Sequence, residues 1–229
     1  MSGASDKPHH LGHRERLRRR VLDRGADSLA DYELLEYLLF GVRRQGDTKP
    51  TAKALIDRFG SVAGVLAAPA SELETVKGVS EATVALIAVA ADTARRAVRE
   101  EIADGPVLSS WTKLIDYLRV AMGHGRTEEF RLLFLDSKNR LIADEVQGTG
   151  TVNRTAVYPR EVVKRALEHG ATAIIMVHNH PSGDPTPSRA DVKMTEEVRD
   201  AGALLGIVLH DHVVISKSGH ESFKSMGLL

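Results

Sequence analysis

The residues best suited to chemistry lie in one segment, HNHPSGDPTPSRAD, which runs from His178 to Asp191. The residues before it, 173–177, are apolar and partly β-branched, which is typical of a buried strand. Side chains two residues apart on a strand share a face, so His178 and His180 can converge on one point. Two imidazoles and a carboxylate form the three-ligand set of a catalytic zinc, with a fourth position left for water. The spacing therefore predicts a metal-dependent hydrolase.

The same segment also has a purely structural interpretation. Ser188 and Asp191 follow Pro185 and Pro187, which predicts a helix start with Ser188 as the N-cap and Asp191 completing a capping box. Helix capping does not require the paired histidines, however. We therefore favour the metal site, in which Ser188 and Asp191 serve as both cap and site residues.

Composition limits the class of protein. The chain has 229 residues, 42% of them hydrophobic and 27% charged, with a formal net charge of zero, so no global field steers it toward nucleic acid or anionic lipid. There is no cysteine, so any metal must bind to His, Asp or Glu. No apolar run approaches the roughly 18–20 residues that cross a bilayer. The N-terminus lacks the apolar core of a secretory signal, and we expect a cytoplasmic protein with no membrane partner.

The pattern of the chain changes near residue 105. Residues 11–103 predict helices throughout, and residues 102–106 are typical of a linker. The second half alternates strands and helices, which indicates an α/β or α+β domain. We therefore predict an all-α domain over 1–105 and an α/β domain over 106–229.

Local patterns also predict the individual elements. The predicted helices are 13–22, 31–40, 51–59, 61–66, 70–76, 81–99, 110–122, 159–169 and 188–201. The predicted strands are 130–135, 140–149, 173–177 and 207–216, the first two forming a hairpin.

The motif H-x-H-P-x(6)-S-x-x-D resembles the JAMM metalloprotease motif, also called the MPN-plus or JAB1/MPN/Mov34 motif. The fuller string is similar to that of the bacterial RadC family, historically labelled DNA repair proteins. The likeness includes GHRERLRRR at 12–20, FLDSKNRLI at 134–142, YPREVVKRAL at 158–167 and DHVVIS at 211–216, and it covers nearly the whole chain. The resemblance implies that the second half is a JAB/MPN domain with a mixed, cytidine-deaminase-like sheet.

The resemblance also implies a role for each motif residue. His178, His180 and Asp191 would bind zinc, and Ser188 would lie beside the fourth ligand position and help to stabilise an oxyanion. A glutamate on an earlier strand would act as general acid and base. Glu128 is preferred, because it precedes a strand in E-x-F-x-x-L-F-L-D with the spacing of the family.

Two other glutamates remain candidates for the general acid and base: Glu129, beside the preferred residue, and Glu145, on the next strand. Zinc lowers the pKa of a bound water from about 15.7 to near 7, and Glu128 would pass its proton to the leaving amine.

The expected activity is that of a zinc metallopeptidase, or an amide or isopeptide hydrolase, acting on a peptide or protein. A nuclease fits less well, because one zinc with an open position suits acyl transfer better than two-metal phosphodiester chemistry.

The helical half favours a different function. The stretch from Leu73 to Val84 resembles a helix-hairpin-helix, in which a tight turn lets backbone N–H groups approach a DNA phosphate. The usual G-h-G of that turn is Gly78-Val79-Ser80 here, and a cluster of arginines lies within 14–24. The alternative function is therefore a DNA-binding adaptor, linked to repair or recombination, whose zinc site is structural or vestigial. DNA would bind through 1–105, and nothing in the sequence indicates an oligomeric state.

His210 and His212 repeat the His-x-His spacing on either side of Asp211. We expect no second metal there. Instead we expect Asp211 and His212 to form a hydrogen-bonded pair in the core or behind the ligands.

Overall fold

The computed structural model describes residues 12–103, 105–150 and 157–229. The chain forms two compact units, Met1–Asp92 and Thr93–Leu229. The division falls inside one long helix, α6 (Glu81–Ala103). The segment expected to be a linker, 102–106, therefore begins in helical structure.

The described residues of the first unit form helices joined by turns and contain no strand, as the sequence predicts. Its helices are α1 (His13–Arg24), α2 (Asp31–Leu39), α3 (Lys49–Phe59), α4 (Val62–Leu66), α5 (Ala70–Leu73) and the start of α6. Buried Leu35, Leu55, Val65 and Leu73 form the centre of its core. Burying each such side chain contributes about 1.5–3 kcal/mol, which holds these short helices together.

The second unit is a sheet with helices on its faces. Its elements are α7 (Trp111–Met122), β1 (Glu129–Leu135), β2 (Leu141–Thr149), α8 (Pro159–Glu168), β3 (Ala173–Asn179), α9 (Arg189–Ala203), β4 (Val208–Ile215) and β5 (His220–Ser222). The strand order is β2-β1-β3-β4-β5, with β3 and β4 parallel and the other pairs antiparallel. The predicted mixed-sheet α/β fold is confirmed.

The two faces of the sheet pack against different helices. Leu133 and Ile175 pack with α7 on one face, and Leu132 and Met176 pack with α8 and α9 on the other. Because side chains alternate along a strand, β3 places His178 on the face of α8 and α9.

The parallel pairing of β3 and β4 explains the position of the motif. Parallel neighbours need a crossover connection, and α9 supplies it. The loop 180–188 therefore leaves the carboxyl end of β3 and enters the N-terminus of α9. Ligands of open α/β sheets bind at this kind of edge.

Some element boundaries differ from the predictions. β3 continues beyond 177 through Asn179, so the first motif histidine lies inside the strand. α6 extends past residue 99 to Ala103, and α5 ends at Leu73 rather than at 76. The short strand β5 was not predicted. No helix in the described ranges carries an apolar stretch long enough to cross a membrane.

Candidate metal centre

His178, His180 and Asp191 converge at the carboxyl end of β3. One candidate ligand atom from each lies within 4.8 Å of the other two. The two histidine Nε2 atoms are 2.9 Å apart. The Asp191 carboxylate oxygens lie 3.7 Å from Nε2 of His178 and 3.9 Å from Nε2 of His180.

These separations fit a small divalent cation. A tetrahedral zinc with bonds of about 2.0–2.1 Å holds its nitrogen and oxygen ligands about 3.3–3.4 Å apart. The three measured distances lie on both sides of that value. Among the residues that the structure describes, this is the one such cluster of three or more histidine and acidic side chains.

The loop after β3 fixes the tautomer of His180. Its Nδ1 is 2.8 Å from the carbonyl oxygen of Asp184. A carbonyl oxygen only accepts hydrogen bonds, so Nδ1 carries the proton. The Nε2 lone pair of His180 therefore faces the centre.

A chain of buried hydrogen bonds fixes the tautomer of His178 in the same way. The Thr195 hydroxyl donates to the carbonyl oxygen of Asp191 at 2.6 Å, so its oxygen accepts from Nδ1 of His212 at 2.6 Å. Nε2 of His212 is left as an acceptor, and Nδ1 of His178 donates to it at 2.8 Å. The Nε2 lone pair of His178 also faces the centre, and the mutual repulsion of two lone pairs 2.9 Å apart is relieved by a bound cation.

Burial keeps these imidazoles neutral. His178 is 1% exposed, and burial lowers its pKa to about 4, with the Asp191 carboxylate opposing the shift and His180 adding to it. Burial likewise places the pKa of His212 well below its ordinary value. Neutral imidazoles are the form that binds metal.

The predicted capping box at the start of α9 is confirmed. The Asp191 N–H donates to Oγ of Ser188 at 3.2 Å, and the Ser188 N–H donates to Oδ2 of Asp191 at 2.7 Å. The cap fixes the Asp191 carboxylate in the first turn of α9, where it faces both histidines.

The two adjacent glutamates, Glu128 and Glu129, have different positions relative to β1. Phe130 pairs with His178 and lies on the same face of the sheet, so alternation places Glu129, the first residue of β1, on the opposite face, and Glu128 directly precedes the strand. Oε1 of Glu129 accepts from Nη2 of Arg131 at 2.8 Å and from its Nε at 3.1 Å. Nη1 of the same guanidinium is 2.7 Å from Oδ1 of Asp144.

Glu145 is held in an ion cluster between β2 and α8. Nε of Arg165 donates to its Oε2 at 2.9 Å, and Nε2 of His169 is 2.7 Å from its Oε1. The hydrogen bonds from Arg165 lower the pKa of Glu145 to about 2, with a further contribution from His169. A carboxylate with that pKa stays ionised near neutral pH.

The hydrogen-bonded pair expected behind the ligands is present, and it uses the backbone of His212 rather than its imidazole. Oδ1 of Asp211 accepts from the backbone N–H of His212 at 2.8 Å, and its Oδ2 accepts from the Ser222 hydroxyl. The His212 imidazole points instead to His178. Thr195 was not predicted as part of the site, although its position one helical turn after Asp191 could have indicated it.

Two protein-family models match the chain. The model of the RadC-like JAB domain matches residues 108–228, which is more than half of the chain. The chain belongs to the RadC family. A second model, described as UPF0758 N-terminal, matches residues 9–85, so the helical unit that precedes the RadC-like JAB domain also has a family match.

The hairpin in the unit that precedes the RadC-like JAB domain turns at Gly78. Its φ of 89° is in the left-handed region, and an added Cβ would lie 2.4 Å from Oγ1 of Thr51. The Thr83 N–H then donates to Oγ of Ser80 at 3.3 Å as α6 begins. The turn therefore requires glycine and is exposed at Gly78 and Ser80.

Several arginines of the basic cluster have partners within this unit. Arg14 donates to the carbonyl oxygens of residues 43, 44 and 46, which fastens α1 to the loop after α2. Arg18 and Arg19 pair with Glu15, and Arg20 pairs with a glutamate of α2. Part of the cluster thus stabilises the helical unit.

Proposed function

We propose that this chain is a zinc-dependent hydrolase of amide or isopeptide bonds, with a peptide or protein as substrate. The observation that carries the proposal is the convergence of two fixed imidazole lone pairs with the Asp191 carboxylate. Zinc fits this donor set, which has two nitrogens, a carboxylate oxygen and no thiolate. When bound, zinc would polarise a substrate carbonyl and lower the pKa of a water molecule.

Glu128 is the acid and base in this proposal. It directly precedes β1, two residues before the Phe130 that pairs with His178, whereas Glu129 lies on the other face and bonds to Arg131. Glu145 is held ionised by Arg165 and is poorly suited to carry a proton. Glu128 would accept a proton from the attacking water and deliver it to the leaving amine.

Ser188 would stabilise the oxyanion that forms on the substrate. Its oxygen accepts the capping hydrogen bond from Asp191, which leaves the hydroxyl hydrogen able to donate. Losing one such donor typically costs about 2.7–4 kcal/mol of transition-state stabilisation.

Metal content and hydrolysis, measured on the same full-length variants, test this function. We expect one zinc per wild-type chain, its loss in His178→Ala, and its retention in Glu128→Gln. Cleavage of a panel of peptide- and isopeptide-linked fluorogenic substrates should disappear in both variants. Glu145→Gln is the matched control and should keep both zinc and cleavage. A wild-type chain without stoichiometric zinc would refute the proposal, and full cleavage by Glu128→Gln would refute the assignment of the acid and base.

A second candidate function is DNA association through residues 1–105, with the metal site structural. The exposed turn at Gly78, held in the left-handed region and followed by the start of α6, supports it. Full-length protein should bind duplex DNA with a steep salt dependence, and Lys77→Glu at this turn should weaken binding uniformly across sequences. No binding at about 50 mM salt would reject this candidate.

A further inference from the structure

We propose that Asn179 is the positioning residue for Glu128, and that it acts by holding the backbone on both sides of that glutamate. The inference rests on the proposed role of Glu128 as acid and base. Asn179 lies between the two candidate histidine ligands in sequence, but its side chain lies on the opposite face of the sheet. It is 1% exposed, so its amide must find partners within the fold.

The amide group of Asn179 bonds to both neighbours of Glu128. Its Oδ1 accepts the backbone N–H of Glu129 at 2.7 Å, and its Nδ2 donates to the carbonyl oxygen of Thr127 at 3.1 Å. Nδ2 also lies 3.4 Å from the carbonyl oxygen of Gly125. An asparagine side chain supplies both a donor and an acceptor, and these contacts use both.

The hydrogen bonds of the Asn179 side chain continue the pairing of β1 and β3 beyond the end of the sheet. The antiparallel ladder of β1 and β3 ends with the pair Phe130 and His178. Beyond that pair the Asn179 amide takes the place of a peptide group and bonds to the backbone of Glu129 and of Thr127. On the other side, the Gly150 N–H donates to the carbonyl oxygen of Glu128 at 2.9 Å. The backbone of Glu128 is therefore fixed from β2 and from β3.

Gly125 provides the space for this amide. An added Cβ there would lie 2.9 Å from Nδ2 of Asn179 and 3.2 Å from the carbonyl oxygen of Met122. Gly125 has no positive φ, so alanine is compatible with its backbone. Gly125→Ala would thus displace the amide while leaving Asn179 in the chain.

The arrangement couples two parts of the centre. His178 and Asn179 are consecutive residues of one strand, one facing the metal and the other holding the segment of Glu128. The geometry of the ligands and the geometry of the acid and base are therefore set by the same piece of backbone. This is the function that we assign to Asn179 beyond packing.

The test uses the carboxyl carbon of Glu128 in full-length protein labelled with ¹³C-glutamate. Its pH titration by NMR is compared with and without one equivalent of zinc, so no substrate is needed. We expect zinc to shift the wild-type titration, and Asn179→Ala to remove at least half of that shift while still binding one zinc. Exchange of the Glu129 amide proton should accelerate at least tenfold in the same variant. Tyr117→Phe is the control, because it removes a buried hydroxyl of α7 that bonds to Asp144 rather than to Asn179, and it should leave the zinc-induced shift unchanged.

Gly125→Ala is the second variant, and it decides the outcome if Asn179→Ala does not fold. It should reduce the zinc-induced shift in the same way. If wild type responds to zinc and both variants respond fully, the inference is overturned and the proposed role of Glu128 stands. If wild type shows no response, the role of Glu128 is refuted and the inference falls with it. Loss of zinc from Asn179→Ala would show that Asn179 acts on the ligands instead, which also overturns it.

Discussion

Replacing Thr195 with valine tests the hydrogen-bond chain behind His178. Thr195 is buried in α9, and its hydroxyl is the acceptor for Nδ1 of His212 at 2.6 Å. Valine has nearly the same shape but offers no acceptor. His212 then keeps an unpaired N–H in the core or moves its proton to Nε2. In the second case His212 donates to His178, and the proton of His178 must move to Nε2, where zinc should bind.

The size of the effect follows from this choice. Leaving a buried donor unpaired costs about 1–3 kcal/mol, and zinc binding to Thr195→Val requires that unfavourable tautomer. A change of about 1.4 kcal/mol corresponds to a factor of ten in affinity. We therefore expect the zinc dissociation constant to rise about 10- to 100-fold, the range typical of partners behind a metal-bound histidine.

Competition with a chromophoric chelator measures this dissociation constant. Thr195→Ser is the matched control, because it removes a methyl group and keeps the hydroxyl, and its affinity should stay close to that of wild type. Circular dichroism confirms that both variants fold. A dissociation constant for Thr195→Val within about twofold of wild type would refute the claim that the hydrogen bonds through Thr195 and His212 set the tautomer of His178.

Three further predictions concern stability. The pKa of His178 in the fold is about 4, below the ordinary 6.5, so the unfolded chain binds more protons between these two pH values. The free energy of unfolding of zinc-free protein should therefore fall as pH drops from 6.5 to 4, by up to about 1.4 kcal/mol per pH unit for this group. Urea-denaturation midpoints that do not change with pH would contradict this prediction. Gly78→Ala should lower the melting temperature of the helical unit more than Gly60→Ala, since both glycines have positive φ but only Gly78 has a side chain within 4 Å of an added Cβ. Arg131→Met should cost about 3–5 kcal/mol in urea denaturation, because it leaves the nearly buried Asp144 carboxylate with the Tyr117 hydroxyl but without its cationic partner, and a loss below about 1 kcal/mol would refute that role.

The sequence predicted the parts of the fold that depend on local pattern. The helices of the first unit, the hairpin of β1 and β2 and the crossover helix α9 follow from apolar periodicity and turn residues. The capping box of Ser188 and Asp191 was predictable for the same reason, since its partners are three residues apart. The strand β5 escaped prediction because it is short and forms by pairing with β4.

Only the motif residues of the candidate site could be predicted from the sequence. The choice between Glu128 and Glu129 depends on the phase of β1, and a shift of one residue moves every side chain to the other face. The bond from His178 to His212 joins residues on neighbouring strands. The contact between Asn179 and Glu129 spans 50 positions of the chain. Such pairings are set by register and are not visible in local spacing.

The crossover from β3 to α9 has a consequence for the order of assembly during folding. All three proposed ligands lie on this one connection, from His178 to Asp191, so they come together as soon as β3 and α9 meet. Glu128 is placed near them only when β1 pairs with β3, and the segment between these two strands is much longer than the loop between β3 and α9. In the proposed mechanism, metal binding and the placing of Glu128 would therefore depend on separate contacts, one between residues close in sequence and one between distant strands.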